Sequence, residues 1–170
     1  MALLEVRNLS KQFGGIKAVN NCSFGVEKGT ITALIGPNGA GKTTTFNLIS
    51  GTIRPDGGSV LFKGHETTKI RPNKVARMGL SRTFQITRAL AEMSVVENMA
   101  IYRLPRGPWD LFRLGVSQDD RERAMELLHF LGMEKLAEEA AGSLSYGQRK
   151  LMELGAVLMS DPELIMLDEP

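Results

Sequence analysis

Three glycines within six residues, followed at once by a lysine and a threonine, constrain this chain more than anything else in it. The segment is Gly36-Pro37-Asn38-Gly39-Ala40-Gly41-Lys42-Thr43, which matches G-x-x-x-x-G-K-[ST] at every fixed position. Glycines let a backbone curl so that successive N–H groups point inward, the arrangement that holds phosphate oxygens. Before the loop, Thr30-Ile31-Thr32-Ala33-Leu34-Ile35 reads as a short buried strand of a parallel sheet. After it, the pattern from Lys42 to Ile49 reads as a helix that Gly51 stops, although its threonines favour helix only weakly. A helix starting there adds its positive end to the ring of amides. Lys42 then supplies a point charge to the outer phosphates, and the Thr43 hydroxyl is placed to ligate Mg²⁺.

A second constellation closes the sequence. Leu164-Ile165-Met166-Leu167 is a buried-strand run that delivers Asp168 and Glu169 at its C-terminal end. Active sites of parallel sheets lie at that end of the strands. One carboxylate there can hold Mg²⁺ through water and a second can accept the proton of an attacking water. Between the two lies Leu144-Ser145-Tyr146-Gly147-Gln148, opening a helix whose Leu151, Leu154, Gly155 and Leu158 form an apolar stripe. Taken alone, Ser145 is a plausible N-cap for that helix.

The remaining segments organise around these motifs. Leu3–Leu9 and Val19–Val26 read as strands with a Gly14-Gly15 turn between them, and Ser59–Phe62 as a strand after the turn Pro55-Asp56-Gly57-Gly58. From residue 86 to 144 the character shifts to Met, Leu, Glu and Arg. Ala124, Leu127, Leu128 and Leu131 mark an amphipathic helix there, with Ser117 as its candidate N-cap and Asp119 and Asp120 in its first turn. With 42% apolar and 24% charged residues in 170, the composition is that of a globular domain with a sizeable core. The single cysteine, Cys22, excludes an intrachain disulfide and reads as a small buried residue of a strand, and the isolated His65 and His129 argue against a zinc cluster. Residues 1–85 carry a balance of +8 and residues 86–170 of −6. The basic residues are scattered and lack interleaved aromatics, which favours a solvated face plus a polyphosphate site over nucleic acid.

The three motifs in this order, together with Gln85 after Arg82-Thr83-Phe84, resemble the ATPase subunit of ATP-binding-cassette (ABC) transporters. The resemblance runs over the whole chain, and its discriminating element is Leu144–Gln148. It implies an α/β fold: a phosphate-loop NTPase core with a parallel sheet, N-terminal antiparallel strands and a helical subdomain. Residues 1–85 and 160–170 would form the nucleotide-binding core and 86–159 the helical subdomain with the signature. ATP and Mg²⁺ are the implied cofactors. By the resemblance, Phe13 would stack on adenine, while Gly36, Pro37, Asn38, Gly39, Ala40, Gly41, Lys42, Thr43 and Thr44 would cradle the phosphates. Thr43, Gln85 and Asp168 would serve the metal, and Glu169, Gln85 and Lys42 the hydrolysis. Ser145, Gly147 and Gln148 would face the ATP held by a second ATPase subunit, identical or not, arranged head to tail.

Gly79–Gln85, Glu92–Asn98, Tyr146 and the loop around Pro105–Trp109 are similar to the branched-chain amino-acid uptake branch. That implies an importer motor joined to transmembrane permease subunits and served indirectly by an extracytoplasmic binding protein, with no nucleic acid. Met1–Leu4 is followed at once by Glu5 and Arg7, unlike a signal peptide, and no apolar run approaches the roughly 20 residues of a membrane span. A cytoplasmic protein, held at the inner face of the membrane by its partners, is expected. Two features depart from the family pattern. Tyr146 stands where glycine is usual, and the chain stops at Pro170, before a further strand and its histidine, as a truncated chain would. Alternatives are a soluble ABC-type ATPase acting on nucleic acid or ribosomes, and an inert nucleotide-binding fragment.

Overall fold

The computed structural model describes residues 2–83, 90–103 and 116–168. They form two compact units, Met1–Leu80 and Ser81–Pro170.

The first unit is built on a long antiparallel pair. Strands β1 (Ala2–Phe13) and β2 (Ile16–Glu27) join through Gly14-Gly15, and β3 (Gly57–Phe62) lies on the other side of β1 with the short β4 (His65–Glu66) beyond it, giving the order β2-β1-β3-β4. Register follows the apolar residues. Val6 stands opposite Phe24 on one side and Val60 on the other, and Leu4 opposite Phe62, so that Leu4, Val6, Val60 and Phe62 bury one face. Leu48 and Ile49 of α1 (Lys42–Ile49) are also buried, as is Val75 of α2 (Pro72–Arg77). The strands run longer than their apolar patterns suggest because they continue past the buried face into solvent.

A bulge at Asn8, with φ 49°, shifts the register of β1 against both neighbours. Its carbonyl comes so near β3 that a Cβ on Gly58 would lie 2.4 Å from it, and Gly58 itself sits at φ 84°. Only glycine meets both conditions. At the end of β1, Asp56 accepts from the Lys11 ammonium and from the Gln12 amide, each at 2.7 Å. The Lys11 bond, and then the amide, hold its carboxyl below the usual carboxylate range.

One expectation fails here. Thr30–Ile35 pairs with no strand among the described residues, and Ile31 and Ile35 are exposed, the latter to 90%. A doubly buried strand needs a ladder and an apolar cover on both faces, and the described part of the unit supplies neither. Cys22, expected to be buried, is half-buried in β2.

The second unit joins a two-stranded sheet, β5 (Leu80–Arg82) with β6 (Leu164–Met166), to three helices. These are α3 (Val95–Ala100), α4 (Gln118–Phe130) and α5 (Tyr146–Leu158). Their shared core includes Val96, Met99, Ala124, Leu128, Met152 and Met159. Each helix starts on a serine cap. Ser94 and Ser145 form capping boxes with Glu97 and Gln148, and Ser117 accepts from the Asp120 amide. The α4 stripe is as expected at Ala124, Leu127 and Leu128. The α5 stripe is turned from its expected position. Met152, Gly155, Ala156 and Met159 are buried, while Leu151 is exposed and Leu154 and Leu158 are half-buried. Spacings of three and four still describe the inward face, but methionine and small residues carry it where the leucines had been expected to.

Candidate nucleotide-binding site

Helix α1 begins directly from the glycine loop. Gly41 is its N-cap at φ 85° and ψ 10°, and no side chain caps the helix. A Cβ on Gly41 would lie 2.2 Å from the Ala18 carbonyl oxygen of β2, so both the backbone angle and the space exclude any other residue. The carbonyl of Gly41 is held by Thr45, whose amide and hydroxyl donate to it at 2.8 and 2.9 Å, and the Ala40 amide donates to Pro37 at 3.1 Å.

The amides of Gly39, Gly41, Lys42, Thr43 and Thr44 find no acceptor among the described residues. Lys42 reaches back across the loop, its Nζ donating to the Gly36 and Pro37 carbonyls at 2.8 and 2.9 Å. Two of its three hydrogens are so used, and one remains. The Thr43 hydroxyl is exposed and has no partner among the described residues. No acidic residue occurs between Gly36 and Thr44. The result is a concentration of donors at a helix N-terminus, a set that fits a polyphosphate and repels nothing in it.

Phe13 ends β1 and is 45% exposed, with the Lys11 ammonium 5.5 Å from its ring centre. The salt bridge from Lys11 to Asp56 steadies that cation, which leaves the ring presented to solvent as a flat apolar face.

In the second unit Asp168 follows β6 and is buried. Arg82 Nη2 donates to its Oδ2 at 2.7 Å, with side-chain exposures of 9% and 6%. The Asp168 amide donates to Thr83 Oγ1 at 3.3 Å, and the Thr83 amide to the Met166 carbonyl at 3.1 Å. Asp168 Oδ1 has no partner among the described residues. These residues contain no group of three or more His, Cys, Asp or Glu that could hold a metal. Asp168 Oδ1 here and the Thr43 hydroxyl in the first unit are each hard-oxygen donors of the kind Mg²⁺ takes. Gln85 and Glu169 lie outside the described residues.

Ser145 and Gln148 cap one another. The Gln148 amide donates to Ser145 Oγ at 3.3 Å, and the Ser145 amide to Gln148 Oε1 at 2.8 Å. Tyr146 is the first residue of α5 and has no positive φ, so its departure from glycine carries no backbone strain. It is 70% exposed, beside Gly147, on whose Cα side there is open space.

Sequence reasoning missed the pairing of Arg82 with Asp168, residues 86 apart with no local pattern to join them. It also missed Asn98, buried on α3, whose side chain bonds Leu90 through both its amide nitrogen and its oxygen. The Ser94-x-x-Glu97 capping box was a readable signal for the start of that helix.

The site and fold define a nucleotide-binding ATPase cassette, and comparison with known proteins gives the family. Residues 19–170 match the ABC transporter family model, and the chain belongs to that family as an ABC transporter ATPase. It is 42% identical, over its whole length and 68% of the relative's, to a probable branched-chain amino acid transport ATP-binding protein LivG of Archaeoglobus fulgidus. It is 37% identical to the high-affinity branched-chain amino acid transport ATP-binding protein BraF of Pseudomonas aeruginosa, over 99% of this chain and 69% of that one. Among solved structures, a nucleotide-free ATP-binding cassette from an ABC transporter superposes with a TM-score of 0.88 at 37% identity, covering 100% of this chain and 70% of the other. The ADP conformation of such a cassette gives 0.86 at 37% identity, over 97% and 67%. These likenesses bear out the expected fold class, a phosphate-loop core with antiparallel N-terminal strands and a helical subdomain. No helix among the described residues is long and apolar enough to cross a membrane.

Proposed function

We propose that this chain is the ATP-driven motor subunit of an importer for branched-chain amino acids. The observation that carries the motor is the loop at Gly36–Thr44, whose amides and ammonium stand ready for a triphosphate. The observation that carries the substrate class is the similarity to LivG and BraF over the full chain.

In this reading the amides from Gly36 to Thr44 line the phosphates, with Pro37, Asn38 and Ala40 shaping the turn. Lys42 exchanges its loop carbonyls for the outer phosphate oxygens, and Phe13 stacks on the base. Thr43, Asp168 and Gln85 would hold Mg²⁺, which when bound neutralises charge developing on the transferred phosphoryl group. Glu169 takes the proton of the attacking water. Ser145, Gly147 and Gln148 serve the ATP of a second ATPase subunit, so two nucleotides are enclosed between two chains. Residues 1–85 with 160–170 act as the nucleotide-binding core and 86–159 as the helical subdomain. The motor would sit on the cytoplasmic face of the membrane, carried by permease subunits that accept substrate from an extracytoplasmic binding protein.

The test is uptake of labelled leucine, isoleucine and valine by the assembled transporter. Glu169→Gln is expected to retain ATP binding and lose uptake and hydrolysis together, by roughly a hundredfold or more. Uptake that survives in this variant, or salt-sensitive binding to RNA or DNA in place of uptake, contradicts the proposal.

A further inference from the structure

We propose that Arg82 is a positioning residue that decides which oxygen of Asp168 is offered to the metal. The proposal rests on the reading of Asp168 as the metal-side carboxylate given above.

Three bonds tie the segment Met166–Asp168 to the end of β5, two of them made by Asp168 itself. Arg82 Nη2 donates to Oδ2 at 2.7 Å, the Asp168 amide donates to Thr83 Oγ1 at 3.3 Å, and the Thr83 amide donates to Met166 at 3.1 Å. Both partners of the ion pair are nearly closed to water. A buried pair of this kind repays little of its desolvation, so its value lies more in geometry than in stability. A carboxylate accepts through two oxygens. With Oδ2 committed to a planar guanidinium, rotation about the last side-chain bond is blocked and Oδ1 is the oxygen left over. An ammonium would supply the same charge without fixing the plane.

Partners of this type, which touch a metal ligand and not the metal, typically change metal affinity by about 10- to 100-fold when removed.

The experiment is a titration of ATP with the protein in excess MgCl₂ and again in EDTA, taking the ratio of the dissociation constant in EDTA to that in MgCl₂. It is done for the unaltered protein, Arg82→Gln, Arg82→Lys and Asp168→Asn. The expected result is a ratio reduced about tenfold in Arg82→Gln, with affinity in EDTA unchanged, and an intermediate ratio in Arg82→Lys. A merely structural role would weaken both affinities alike and leave the ratio where it was, which overturns the proposal. A ratio that rises in Arg82→Gln, as simple competition between guanidinium and Mg²⁺ would give, overturns it too. If Arg82→Gln shows no cooperative melting, Arg82→Lys decides: a lowered ratio supports the positioning role and an unchanged one refutes it. Asp168→Asn separates the two layers. A ratio kept in that variant removes the reading of Asp168 itself, whereas a ratio lost there but kept in both Arg82 variants removes only the proposal for Arg82.

Discussion

The Lys42 ammonium lies 2.8 Å from the Gly36 carbonyl at the far end of its own loop, and 2.9 Å from that of Pro37. The charge that the motif brings to phosphate is therefore positioned by the loop before any ligand arrives. Two carbonyls hold the side chain, and the amides of Gly39, Gly41, Lys42, Thr43 and Thr44 have no acceptor among the described residues. Pre-organisation of this kind lowers the ordering cost of binding.

Gly41 is the residue on which that geometry depends. At φ 85°, and with the Ala18 carbonyl 2.2 Å from where a Cβ would stand, Gly41→Ala has to move either the loop or β2. Left-handed strain and overpacking together are expected to lower stability by about 2–5 kcal/mol. Chemical denaturation measures this. A variant as stable as the parent would show that the close approach of loop and strand is wrong.

Ser145 and Gln148 bond each other reciprocally, so their contributions to α5 are coupled. Ser145→Ala is expected to cost about 1 kcal/mol, and a double-mutant cycle with Gln148→Ala to show an interaction of about 0.5 kcal/mol or more. Additive effects in the unfolding free energies would mean that the box contributes nothing as a unit. Any role toward a second subunit's nucleotide would come in addition to this capping.

Glu97 gives the helical unit an acid sensitivity. The Ser94 amide and then its hydroxyl donate to the Glu97 carboxylate at 2.8 and 2.9 Å, and Arg121 adds a weaker attraction. Together they hold the carboxyl below its usual value of 4.5. A lowered folded value means that the box contributes its stability above the unfolded value and loses it as pH falls through the folded one. Stability measured from pH 6 down to pH 3 is expected to fall less steeply in Glu97→Gln than in the parent. Parallel curves would contradict this.

Local chemistry was legible in the sequence wherever it is settled by a few neighbouring residues. The loop from Gly36, the caps at Ser117 and Ser145 and the inward face of α4 all follow from spacing alone. The strand at Thr30–Ile35 did not, because a β-branched run states a preference for burial and says nothing of which strands will cover it. The α5 stripe was misplaced because leucine was weighted above methionine and alanine, while Met99 and Leu128 in the packed core select the narrower face at Met152 and Ala156. In the candidate site the phosphate side was readable, since one motif holds all its donors. Arg82 was not: an ion pair closed across β5 and β6 exists only once the sheet has formed.

In the proposed function the amides of Gly39, Gly41, Lys42, Thr43 and Thr44 and the Lys42 ammonium bind a nucleotide's phosphates. Titration of Mg-ATP into the protein and into Lys42→Ala tests it directly. Losing one charge-assisted contact of about 1.5–3 kcal/mol should weaken binding about 10- to 100-fold, with the fold of the variant unchanged. Equal affinity for the two proteins would contradict the account.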